Sequence, residues 1–281
     1  MRIALISDLF FGENSEERLH QRLQEARAGG AGLAILPELA LDPWYPARER
    51  SEEEESEAPG GRRYAALAKA AATAQIGIVG GAIVRDPDSP ERKFNTTFVF
   101  DAGGELVGQY RKCHLPDEPG FREKSHYQAG DVPPRPVHAF AIPFGLQVCS
   151  DANRPAGSQV LGAMGAELIA VPRATEPKTY PRWRLVFQSI AITAAVFVAS
   201  VNRPRPEFDV EMGGPSVVVA PDGEILLETT APVAVVAIDR QKVRLARSSY
   251  PGYLAIPADL YSRSWAEVAR SSAAVGRPSP G

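Results

Sequence analysis

Three polar residues each close a short apolar run, at the point where a buried strand would emerge from a sheet: Glu38 in LAILPEL, Lys112 in ELVGQYRK and Cys149 in FGLQVCSD. Their types suit nucleophilic chemistry. A thiol beside an ammonium or a helix start has a lowered pKa and becomes a nucleophile, and a carboxylate buried near it needs a cationic partner or a raised pKa. Each residue also has a plainer reading. Glu38 could be a salt-bridged strand end, Lys112 a snorkelling surface lysine, and Cys149 a small buried hydrophobe. The surroundings of Cys149 favour chemistry, because α/β sheets place their sites in loops at strand ends and the polar sequence after it leads toward a helix.

Period-two alternation sorts the side chains further. It puts Ala34, Leu36 and Glu38 on one face, and Leu106, Gly108, Tyr110 and Lys112 on one face with Arg111 on the other. The second cysteine, Cys113 in YRKCHLP, has His114 as a neighbour, yet adjacent strand residues diverge, so the pair forms no dyad and Cys113 reads as structural. The histidines show no metal spacing and there is no CxxC, which leaves no metal site to propose.

The elements that must hold these residues alternate between strand and helix patterns. RIALISD is a first strand, residues 15–28 a charged helix, and 33–38 a second strand; residues 61–74 form a helix leading to strands at 76–84, 95–104 and 105–112. A long loop precedes the strand of Cys149. Helices follow near 157–165 and 181–195, around the strands ELIAVPRA and VFVASVNR, and PSVVVAPDGEILLETT with VAVVAIDR reads as a hairpin region turning at PDG. The run SEEEESE at 51–57 reads as a solvated face. One domain spans 1–265, and the tail at 266–281, poor in large apolar residues, is expected to be mobile or packed on a partner.

Length and charge set outer bounds. A chain of 281 residues with 44% hydrophobic residues and net charge −3 is that of an ordinary globular protein with no basic block for nucleic acid. The longest apolar segment, 189–201, is too short to cross a bilayer, and two cysteines make no disulfide framework. A cytoplasmic protein without membrane or nucleic-acid partners is expected.

Glu in LPEL, Lys in YRKCHLP and Cys in VCSD, in that order, resemble the Glu-Lys-Cys triad of the nitrilase superfamily, the carbon-nitrogen hydrolases. The resemblance runs from Met1 to about Trp265 and includes PGFREKSHYQAGD and RWRLVFQSIAITAAVFVASVNR. It implies an α/β fold of the four-layer αββα sandwich type, which commonly pairs into dimers through its helices, and it adds Glu123 as a second glutamate near the lysine. With these residues Cys149 attacks an amide or ureido carbon, and Lys112 and the Ser150 backbone N–H meet the oxyanion. Glu38 carries the protons, and Glu123 positions substrate and holds Lys112 charged. No cofactor or metal is required.

Ser150 and Asp151 replace the Trp-Glu that follows the cysteine in nitrilases, and the resemblance is greatest to N-carbamoylputrescine amidases and related carbamoyl and aliphatic amidases. Departures locate specificity. Ala152 and Asn153 stand where carbamoyl-D-amino-acid hydrolases carry arginines, Arg154-Pro155-Ala156 replaces Phe-Pro-Glu, and His126 replaces an aromatic pocket residue. His126, Asn153, Arg154 and Arg173 are therefore candidate substrate contacts, with a structural ion pair the alternative for Arg173. The expectation is a cysteine hydrolase of amide or N-carbamoyl bonds acting as a homodimer or higher homo-oligomer. Its alternatives are a nitrilase, an acyl transferase, or a binding protein on the same fold.

Overall fold

The structure is a computed structural model and describes residues 1–274. Seven strands form one sheet: β1 (Arg2–Ile6), β2 (Leu33–Ile35), β3 (Ser56–Glu57), β4 (Gly77–Arg85), β5 (Lys93–Phe100), β6 (Leu106–Arg111) and β12 (Val233–Ala237). Five form the other: β7 (Phe144–Leu146), β8 (Leu168–Arg173), β9 (Phe197–Asn202), β10 (Ser216–Val219) and β11 (Ile225–Thr229). In the first sheet a parallel centre, β1–β2–β4, is flanked by antiparallel strands; in the second the parallel set β7–β8–β9 begins at the β7 edge and antiparallel β10 and β11 follow on the other side.

Alternation along β1 shows how the layers form. Ile3 and Leu5 enter a core between the sheets with Phe144, Leu146, Leu168 and Phe197, while Ala4 and Ile6 face helices α1 (Ser15–Ala28) and α2 (Arg62–Ala74). Leu19, Leu23 and Ala26, and Leu67, Ala71 and Ala74, supply the apolar stripes of those helices at helical spacing. On the second sheet α4 (Pro155–Ala163) and α5 (Tyr180–Ala194) do the same with Leu161, Trp183, Phe187 and Ile190. Helix, sheet, sheet, helix is the expected αββα order. The remaining helices are α3 (Glu123–His126), α6 (Arg240–Ser248) and α7 (Ala258–Ala274).

Several expectations are corrected. The PDG turn does join β10 to β11, with Gly223 at φ 87°, but β12 crosses back to pair with β1 in the other sheet. The acidic run at 51–57 is not wholly solvated. Glu55, Ser56 and Glu57 are buried; Glu55 meets Lys93, and the Glu57 carboxylate accepts the N–H groups of Arg63 and Tyr64 at the start of α2. The boundary expected at residue 265 falls inside α7, whose Tyr261, Trp265 and Val268 recur at helical spacing, so the expected tail continues a helix to Ala274. Residues 275–281 lie outside the described residues. Among the described residues, no helix is long and apolar enough to cross a membrane.

Candidate active site

Three strand ends of the first sheet converge at one edge. Lys112 follows β6, and Asn95, near the start of β5, lies across from it, with the Lys112 N–H donating to the Asn95 carbonyl at 2.9 Å. Tyr110, on the same face as Lys112, packs in the inter-sheet core as alternation requires. Glu38 reaches this edge by another route. β2 ends at Ile35, and Pro37 and Leu39, the latter at φ 50°, turn the chain. Ala34 and Leu36 face the helices, so Glu38 does not share their side.

The result is a closed ionic cluster. Lys112 Nζ donates to Glu38 Oε1 at 2.8 Å and to Glu123 Oε1 at 2.5 Å, and Asn95 Nδ2 donates to Glu38 Oε1 at 2.8 Å and Glu123 Oε2 at 3.0 Å. All four side chains are buried. Of the four carboxylate oxygens of Glu38 and Glu123, only Glu38 Oε2 has no hydrogen-bond partner. Burial alone would lower the Lys112 pKa, but the Glu123 and Glu38 charges overcome it and hold the ammonium above the usual lysine value. Burial, reinforced by the Glu38 charge, pushes the Glu123 carboxyl up to about 7 against the pull of Lys112.

The thiol comes from the second sheet. Cys149 lies just beyond β7 with a left-handed backbone, φ 46°, a conformation that costs a non-glycine residue about 1–2 kcal/mol and is commonly retained at functional sites. Its Sγ donates to the Ala174 carbonyl at 3.6 Å. Burial and the Glu38 charge push the Cys149 thiol well up, with Lys112 opposing them, so the resting group is a thiol. Two residues on, Asp151 ties the sheets together. Its carboxylate accepts the N–H groups of Cys113 (3.2 Å) and His114 (2.9 Å), which follow Lys112, and the Tyr110 hydroxyl at 2.9 Å.

Cys149 opens onto a pocket of about 310 Å³ lined by Phe121, Ser150, Asn153, Thr175 and Trp183, with Asp117, Glu118, Glu176 and Arg182 also on its walls. Ser150 sits at the start of the short turn 149–153, where backbone N–H groups have no partner within the turn. Asn153 is the one substrate-contact candidate that lines the pocket. Arg154 is exposed and outside the lining, because the chain turns outward into α4. His126 is buried on α3, with Nδ1 3.8 Å from Glu55, and does not wall the pocket.

Arg173 is buried behind the lining residues Ala174 and Thr175, and neither expected role fits it. It donates to Ser200 Oγ at 2.9 Å, to Thr175 Oγ1 and to the Pro215 carbonyl, with no carboxylate among its partners in the described residues. Burial lowers its pKa to about 10. Sequence reasoning passed over Asn95, whose signal is an asparagine inside the apolar strand KFNTTFVF. It also passed over Trp183, whose contact with the pocket depends on how α5 packs. Among the described residues no group of three or more His, Cys, Asp or Glu side chains is gathered to hold a metal.

The arrangement thus offers a thiol on the wall of an open pocket and, buried away from that wall, a carboxylate oxygen without a partner and a fixed ammonium whose charges act on the thiol. The carbon-nitrogen hydrolase sequence profile matches residues 15–248. An omega-amidase from Homo sapiens is 31% identical over 85% of this chain and 88% of its own. An N-carbamoylputrescine amidase from Arabidopsis thaliana is 26% identical over 93% and 92%. The crystal structure of an amidase from Nesterenkonia sp. superposes with a TM-score of 0.75 at 25% identity, covering 94% of this chain and 96% of that one.

Proposed function

The chain belongs to the carbon-nitrogen hydrolase family, and we propose that it hydrolyses amide or N-carbamoyl bonds of small molecules through a thioester on Cys149. The observation that carries this reading is the Glu38–Lys112–Glu123 cluster, held by bonds of 2.5–2.8 Å, whose charges act on the thiol of Cys149, itself on the pocket wall. Glu38 takes the Cys149 proton as sulfur attacks the carbonyl carbon. Lys112 and the Ser150 N–H meet the oxyanion. Glu38 returns the proton to the departing nitrogen, then takes one from the water that cleaves the thioester, releasing acid and regenerating the thiol. Glu123 keeps Lys112 in place.

Asp117, Glu118 and Glu176 outnumber Arg182 on the pocket walls, which suits a neutral or amine-bearing substituent over a carboxylate. A panel of amides, N-carbamoyl amines and nitriles, scored separately for ammonia and carbon dioxide, tests the reading. Carbon dioxide marks a carbamoyl substrate. Cys149→Ala should abolish product release, and full activity in that variant would sink the proposal.

The proposal extends to a homodimer in the cytoplasm. A groove of about 430 Å³ between α4 and α7 is lined by Val160, Met164, Ile256, Tyr261 and Trp265, and more than half of the surface of Tyr261 and Trp265 is exposed. A second copy of this apolar face would cover it. Cys113 and Cys149 are both unpaired thiols, as a reducing compartment keeps them.

A further inference from the structure

Glu38 and Lys112 stand on one sheet and Cys149 on the other, so the distance over which a proton passes between Glu38 and the thiol is set by contacts across the gap. For Lys112 that contact is Asp151. For Glu38 it is Arg203, a fully buried residue just after β9 that neither the sequence reading nor the reaction scheme uses.

Arg203 spends all five of its N–H bonds. Nη1 donates to the carbonyls of Glu38 (2.9 Å) and Leu39 (2.8 Å), Nη2 to the carbonyl of Asp42 (2.9 Å) and to Glu207 Oε1 (2.6 Å), and Nε to Glu207 Oε1 (3.0 Å). Three of the five bonds therefore hold the turn that carries Glu38. That turn contains Leu39 in a left-handed conformation, which a non-glycine residue keeps only where its surroundings impose it. The guanidinium also lies 5.4 Å from the centre of the Trp44 ring, and Glu207 Oε2 accepts the Trp44 N–H at 3.1 Å.

The other end of the clamp leads to the nucleophile. The Arg203 N–H donates to the Arg173 carbonyl at 3.2 Å, and the next residue, Ala174, supplies the carbonyl that the Cys149 thiol meets. We propose that Arg203 is a positioning residue that sets Glu38 against Cys149 across the two sheets. Lysine, with a single donor atom, cannot reach three carbonyls and a carboxylate in this fork.

The proposal rests on Cys149 being the nucleophile and Glu38 its base, and its test needs no knowledge of the substrate. Alkylation of Cys149 by iodoacetamide at neutral pH is followed by mass spectrometry in four chains: native, Arg203→Lys, Glu38→Gln and the double variant. Thermal melts confirm that each is folded. If Arg203 acts through Glu38, Arg203→Lys slows alkylation about tenfold in the native background and less than about twofold in the Glu38→Gln background. Equal slowing in both backgrounds, or none in the native one, overturns the proposal. Should Arg203→Lys fail to fold, Glu207→Gln, which loosens the guanidinium without emptying its site, carries the same cycle with the same outcomes. A native Cys149 that resists alkylation overturns the nucleophile assignment first, and the clamp's role with it.

Discussion

Lys112→Met removes the cation that touches both Glu38 and Glu123, whose side chains are each about 1% exposed. Two carboxylates are then left together in the interior with Asn95 as their shared donor. Removing one partner of a buried ion pair costs about 3–5 kcal/mol. With an unfolding entropy of roughly 0.6 kcal/mol/K for a chain of this length, that corresponds to a melting temperature lower by about 5–9 °C. The deficit depends on pH in a defined sense. Without the ammonium, burial and mutual repulsion raise the pKa of the pair above the unfolded value, so the deficit is fullest at about pH 8 and shrinks as acid protonates the carboxyls. Thermal melts of both proteins at about pH 8 and about pH 5 check this. A deficit below about 2 °C at the higher pH, or one that widens on acidification, would refute the reasoning. Turnover should also fall by at least about a hundredfold as the oxyanion loses its ammonium.

Glu123→Gln tests the same cluster from the other side. The native carboxyl is raised to about 7 from 4.5, so its stabilising contribution is fully present below about pH 4.5 and lost as pH rises through about 7. The variant should lose that part of the fall in melting temperature between these values, and an unchanged pH profile would count against the raised pKa. At the surface, Trp265→Arg places a charge in the groove between α4 and α7 and should convert a dimer to monomers in sedimentation experiments. A protein that stays dimeric would remove that face from the proposed interface.

Much of the site was legible because buried polar residues at strand ends are rare and costly. Alternation put Lys112 on the face of Tyr110, since β6 is regular from Gly108 to Arg111, but a bulge at Val107 takes Leu106, expected on that face, off it and leaves it exposed. Glu38 was found by type, but its path was not. The strand stops three residues before it, and a proline and a left-handed leucine redirect the chain. Arg203, charged and directly after the strand FVASVN, meets the criterion that singled out Glu38, Lys112 and Cys149, yet three of its four acceptor oxygens belong to the turn at 38–42, at least 161 positions away in the sequence. Asn95 becomes meaningful only once the register of β5 against β6 is known. The crossing of β12 into the first sheet was hidden for a related reason, because a β-run carries no mark of which of two sheets it will join.

The division of labour within the cluster follows from how each group is held. Lys112 is kept as an ammonium by the Glu123 and Glu38 charges, so it is fixed as a charge and unsuited to passing protons at neutral pH. Cys149 is kept as a thiol by burial and the Glu38 charge, so its attack must be coupled to the loss of its proton. Glu123 has both carboxylate oxygens occupied, one by Lys112 and one by Asn95. Glu38 has one oxygen bound by those same donors and one without a partner. Of the four groups, only Glu38 combines a held position with a free oxygen, and a proton carrier needs both. The bonds that fix its backbone, made by Arg203 from the opposite sheet, are therefore as much a condition of the chemistry as the carboxylate itself.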